Sequence, residues 1–186
     1  MTSTHIMLDL ETLGRSPGCK LLSIGAVVFG PAGLGERFYR EVQINEQRDL
    51  VADAETIAWW HSQNADELAR LYGSQRTKPT LAAALVEFAD WLRNVSQPDG
   101  KGGIDACVWG NGADFDNAIL AYCFGHFGLA VPWQFWNGRC YRTLKSMRPG
   151  IRLTRTGMHH NALDDACSQA EHAVRLFAAL GFADFA

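Results

Sequence analysis

The sequence predicts a mixed α/β fold, one sheet with helices on its faces. Three observations predict it. The chain opens with three strand-length apolar segments joined by short loops, and its later parts carry apolar stripes at helical spacing. A short apolar strand, residues 106–109, falls between those helices. With 186 residues and 47% apolar content, the chain reads as a single domain, 1–186, long enough to bury a sizeable core.

Each element follows in order. Residues 5–11 form a strand because Ile6, Leu8 and Leu10 alternate with Met7, Asp9 and Glu11. Residues 21–29 are a second run of branched apolar side chains, closed by the turn Gly30-Pro31-Ala32-Gly33. Phe38, Arg40, Val42 and Ile44 alternate as a third strand, and the short connections make the three an antiparallel meander. Helices follow at 56–62, 64–72 and Leu81–Val95, the last with a stripe of Leu81, Leu85, Phe88, Leu92 and Val95. Residues 97–103 are a polar loop. The strand at 106–109 leads to a helix at 115–127, a short strand at 131–135 and a short helix at 141–147. A loop, 148–159, precedes the last helix, 161–180, with Ala166, Ala170, Ala173, Phe177 and Leu180 on one face.

Composition narrows the function classes. No apolar run approaches the roughly 20 residues of a membrane span, and the N-terminus enters its first strand without a basic leader. Five scattered cysteines, without a C-x-x-C pair, argue against a disulfide framework or a zinc knuckle and for a reducing compartment, the cytoplasm. The net charge of −3 is unevenly spread. Residues 117–163 hold no Asp or Glu but six basic residues: Arg139, Arg142, Lys145, Arg148, Arg152 and Arg155. The remainder carries 11 basic against 20 acidic residues. Charge runs are usually solvated faces, yet this asymmetry favours a surface that meets a polyanion.

Three clusters carry the chemistry. Asp9 and Glu11, two apart on a strand, leave the same face and repel one another unless a divalent cation lies between them. A D-x-E pair arises by chance about half a time in such a chain, so it needs context. Asp114 and Asp116 follow the strand end Trp109-Gly110-Asn111-Gly112, where open α/β sheets place ligand sites; alone, either would be a helix cap. In His159-His160-Asn161-Ala162-Leu163-Asp164-Asp165 a histidine precedes a carboxylate one turn into a helix. Both His159/Asp164 and His160/Asp165 fit that spacing, and Asn161 with Asp164 also reads as a capping box.

Together these clusters resemble the DEDDh exonucleases, the superfamily of polymerase proofreading subunits and oligoribonucleases. The resemblance runs from Leu8-Asp9-Leu10-Glu11-Thr12 through Asn111-x-x-x-Phe115-Asp116 to His160-x-Ala162-x-x-Asp165-Ala166. Thr56-Ile57-Ala58-Trp59-Trp60, the stretch 109–116 and Cys140-Tyr141-Arg142-Thr143-Leu144 look most like the T-even phage DNA exonuclease A and its bacterial relatives. At least one of Trp59 and Trp60 also reads as plain core. The resemblance implies a ribonuclease-H-like fold, the meander followed by parallel strands, and a 3′→5′ exonuclease. It selects Asp116 over Asp114, and His160 with Asp165. By resemblance Asp9, Glu11, Asp116 and Asp165 hold two Mg²⁺ or Mn²⁺ ions, with His160 as the base. Thr12 and Leu13 would seat the terminal nucleotide, and Arg139 and Arg142 would meet backbone phosphates. The expected partner is nucleic acid with a single-stranded 3′ end, DNA or RNA, with no membrane; a homodimer is compatible with this. The alternatives are an internally cutting nuclease of the same fold and a catalytically idle binding module.

Overall fold

Strand β1 (Thr4–Thr12) lies inside the sheet, between β2 (Leu21–Gly30), antiparallel to it, and β5 (Ile104–Gly110), parallel to it. The structure, a computed structural model, describes residues 3–182 apart from Asn64. Strand β3 (Gly33–Glu41) pairs antiparallel with β2 on the outside. The other edge of β5 is shared by β4 (Gln97–Pro98), antiparallel near its start, and β6 (Gly138–Cys140), parallel near its end. The result is a mixed sheet of six strands ordered β3-β2-β1-β5-β4, with β6 also on β5.

Helices cover both faces, so β1 is largely buried on each side. Ile6, Leu8 and Leu10 pack with Leu81, Leu85, Phe88 and Leu92 of α3 (Leu81–Val95) and with Ile119, Leu120 and Phe124 of α4 (Ala118–His126). Each such side chain contributes about 1.5–3 kcal/mol on burial. On the opposite face Met7, Val27, Cys107 and Trp109 meet Tyr141 and Leu144 of α5 (Tyr141–Ser146). They also meet Ala166, Ala170, Ala173 and Phe177 of α6 (Ala162–Leu180). A smaller cluster of Leu13, Leu22, Ile44, Trp60, Leu68 and Leu71 lies under α1 (Ala54–Gln63) and α2 (Ala65–Tyr72).

The expected elements form, with four corrections. The third strand starts at Gly33 and ends at Glu41, so Val42 and Ile44 lie beyond it, buried in two of the clusters. The expected strand at 131–135 is absent: only Trp133 bridges to Ile104, and the strand beside β5 is 138–140. The polar loop at 97–103 begins with the short β4. The helix expected at 115–127 opens instead with a π-helical turn, Ala113–Asn117, before α4. The second helix begins at Ala65; its expected first residue, Asn64, lies outside the described residues.

Candidate active site

Asp9 and Glu11 share the face of β1 that carries Met7, the face covered by α6. Their partner reaches them because Gly25, paired with Asp9 across the β1–β2 ladder, has no side chain. A Cβ there would lie 2.2 Å from the carbonyl carbon of Ala162 and 2.3 Å from the nitrogen of Leu163. The first turn of α6 therefore rests on the sheet backbone. Asn161 starts that turn, its side chain accepting from the amides of Leu163 (3.2 Å) and Asp164 (3.3 Å) while its Nδ2 donates to Tyr39 (3.3 Å). Asp165, buried, then faces Asp9 and Glu11, with one carboxylate oxygen of each within 4.8 Å of the others. Asp164 points elsewhere and accepts from the Met158 amide (2.7 Å).

Asp116 arrives from the other side. Gly110 ends β5, and a Cβ on it would sit 2.4 Å from Asn117 Oδ1 and 2.9 Å from Asp116 Cβ, so only glycine lets the π-helical turn fold back over the strand end. The Asp116 carboxylate accepts from the Leu10 amide (3.2 Å) and the Asn111 amide (2.8 Å), tying it to the backbone of β1. It adjoins the cluster of three without being one of its mutually close members.

The electrostatics follow from that crowding. Burial first, then the carboxylates of Asp116, Glu11 and Asp165, holds Asp9 well above the ordinary carboxylate range. Glu11 is raised in the same way, by burial and then by Asp165 and Asp116. Burial pushes Asp116 up to about 7, against the pull of its amide donors. Such a set favours either protons or a multivalent cation.

His160 adopts a left-handed backbone (φ 65°), and its amide donates to Asp165 (3.1 Å). Its ring stacks on His159 at 3.8 Å and meets Trp59 edge-on at 4.8 Å; burial lowers its pKa below the usual value. Both histidines approach Asp165. Of the two tryptophans, Trp60 is core, with its Nε1 donating to the Thr12 carbonyl (2.9 Å), whereas Trp59 is 42% exposed. A cleft of about 650 Å³ opens over these groups, lined also by Thr12, Phe115 and Asn111.

Other expected residues are placed less simply. Thr12 lines the cleft but is buried, its hydroxyl donating to the Gly14 carbonyl (2.6 Å). Leu13 is 1% exposed, packs in one cluster with Trp60 and does not line the cleft. Arg139 donates to the carbonyls of Trp136 (2.8 Å) and Gly138 (3.1 Å). Arg142 donates to the Asn111 carbonyl (2.7 Å) and so braces the loop whose amide holds Asp116. Neither arginine lines the cleft.

Two cleft residues that bond to the carboxylates through their side chains were not anticipated as site residues. Arg155 pairs with Asp165; its place in the acid-free stretch was visible, but nothing distinguished it there. Gln169 donates to Asp9 (2.7 Å) and sits one turn beyond Asp165, a spacing that places both on one helix face.

Acidic side chains gathered beside a histidine at the strand ends of this sheet form a candidate site for hydrolysing phosphodiester bonds. Residues 4–177 match the 3′-5′ exoribonuclease Rv2179c-like domain, and the chain belongs to that family of 3′-5′ exonucleases. Solved structures agree in fold. The nuclease domain of 3′hExo, a DEDDh family member bound to rAMP, has a TM-score of 0.63 at 14% identity, covering 98% of this chain and 95% of that one. S. pombe Pop2p in its Mg²⁺- and Mn²⁺-bound form gives 0.64 at 12%, covering 99% and 86%. Cell-death related nuclease 4 (CRN-4) gives 0.60 at 14%, covering 97% of this chain but only 65% of that one. No curated protein matches the sequence. Among the described residues, no helix is long and apolar enough to cross a membrane.

Proposed function

We propose that the chain, as one exonuclease domain over residues 1–186, releases nucleoside monophosphates from single-stranded 3′ ends. Asp9, Glu11, Asp116 and Asp165 would hold two divalent cations, Mg²⁺ or Mn²⁺. The observation that carries this is the convergence of Asp9, Glu11 and Asp165 within 4.8 Å at a buried site where Asp9 and Glu11 resist ionisation. The donor set, all carboxylate oxygens, suits hard cations. When bound, the cations supply charge neutralisation and a nucleophilic water.

The chain's own groups do the rest. His160, kept neutral by burial to lower pH than usual, takes a proton from the attacking water. Trp59, exposed at the cleft beside His160, offers an aromatic face to the terminal base. Arg155, already paired with Asp165, faces the incoming phosphate. Arg139 and Arg142 meet the backbone further along, Arg142 while steadying Asn111. The family favours RNA as the substrate. The segments shared with the phage exonuclease A leave DNA as the competing polymer, and the free thiols suit a cytoplasmic setting. Digesting 5′-labelled RNA and DNA of one sequence, with Mg²⁺ or Mn²⁺ and with chelator, tests this. The expected product is a ladder shortening from the 3′ end, stronger for RNA and absent with chelator. Discrete internal fragments would contradict it.

A further inference from the structure

Gln169 is the one neutral side chain whose polar group bonds directly to a carboxylate side chain of the cluster among the described hydrogen bonds. It is 3% exposed, lies one helical turn after Asp165 on α6, and lines the cleft. Its Nε2 donates to Asp9 Oδ1 at 2.7 Å. With Asp9 ionised, as cation binding requires, an amide oxygen turned towards it would meet repulsion, so the nitrogen is the end that faces the carboxylate. The other end, Oε1, is then a buried acceptor that no donor among the described residues reaches. Buried polar atoms are ordinarily paired, so an orphan in a functional cleft marks where a ligand's donor belongs. Packing alone would not need this residue, since methionine fills the same length without either polar atom.

We propose that Gln169 is a positioning residue: its nitrogen sets the Asp9 carboxylate for the cation, and its oxygen accepts from a water carried by that cation. This rests on the divalent-ion reading above. Groups that orient metal ligands typically change affinity about 10–100-fold when lost. The test is calorimetric titration of Mn²⁺ into the full chain without nucleic acid, for wild type and Gln169→Met. The expected result is a 10–100-fold weaker Mn²⁺ affinity for the variant, a lower kcat on RNA and a nearly unchanged KM. An affinity within about two-fold of wild type would overturn the assignment. A wild type that binds no Mn²⁺ would instead sink the divalent-ion reading itself. Gln169→Glu gives an independent check should the methionine variant not fold. It sets a further carboxylate against Asp9, so its metal-free Tm should fall below wild type and recover with Mn²⁺. An unchanged metal-free Tm would count against the contact.

Discussion

Replacing Gly25 with alanine puts a methyl carbon 2.2 Å from the Ala162 carbonyl carbon, 2.3 Å from the Leu163 nitrogen and 2.5 Å from the Ala162 oxygen. Carbon atoms in contact sit at about 3.5–4.0 Å, so the first turn of α6 must retreat by somewhat more than about 1 Å. All three obstacles are backbone, and no rotamer change relieves them. Asp165 and His160 travel with that turn, while Asp9 and Glu11 stay on β1. Overpacking of this kind costs about 1–3 kcal/mol in stability, and a misplacement of about 1 Å at a reacting centre can cost about 10²-fold in rate. The assay is a melting curve together with kcat/KM for 5′-labelled RNA in Mn²⁺. Gly25→Ala should melt lower yet remain folded at 25 °C, and its kcat should fall about 10²-fold. A variant with wild-type kcat would refute the idea that close contact between α6 and the sheet sets the catalytic geometry.

Further expectations concern the charged groups. Asp9, Glu11 and Asp116 are raised in the folded chain, so folding favours their protonated forms. Metal-free stability from these groups is full below the ordinary carboxylate pKa of about 4 and is lost as pH rises through the folded values. The metal-free Tm should therefore climb on acidification from about pH 8 towards 5.5, less so in Asp9→Asn; a flat profile in wild type would count against the crowding. His160→Ala should lower kcat about 10²–10⁴-fold with KM little changed, and His159→Ala much less; reversed effects would move the base to His159. Changing Arg139 and Arg142 together to Gln should weaken RNA binding in Ca²⁺ and flatten its salt slope by about 0.7 per lost contact. Because Arg142 also braces Asn111, Arg142→Gln should cut turnover where Arg139→Gln does not.

The carboxylate pair was legible because strand periodicity alone places Asp9 and Glu11 on one face; spacing did not separate Asp165 from Asp164, and the resemblance of the flanking alanines to the exonuclease pattern chose it. The start of β3 was hidden: Gly35, Glu36 and Arg37 are exposed at the sheet edge and show no alternation of burial. Strand β6 is three residues held by pairing with β5, and nothing local marks it. Gln169 and the burial of Leu13 escaped for a different reason. What each does is decided by a contact with a distant segment, Asp9 in one case and Trp60 in the other, and spacing within one segment does not report it. Arg155 was counted as charge but acquires its place from the fold of the loop ahead of α6.

If the carboxylates facing one another across β1 and α6 run hydrolysis at the 3′ end, activity must depend on Asp165. Asp165 and its neighbour Asp164 provide the sharpest comparison, since only Asp165 faces Asp9 and Glu11. Mononucleotide release from 5′-labelled RNA in Mn²⁺ should be measured for Asp165→Asn and Asp164→Asn side by side. Asp165→Asn should fall below about one per cent of wild type, as loss of a cation ligand requires, while Asp164→Asn should keep most of its activity. Substantial turnover by Asp165→Asn, or loss confined to Asp164→Asn, would contradict it.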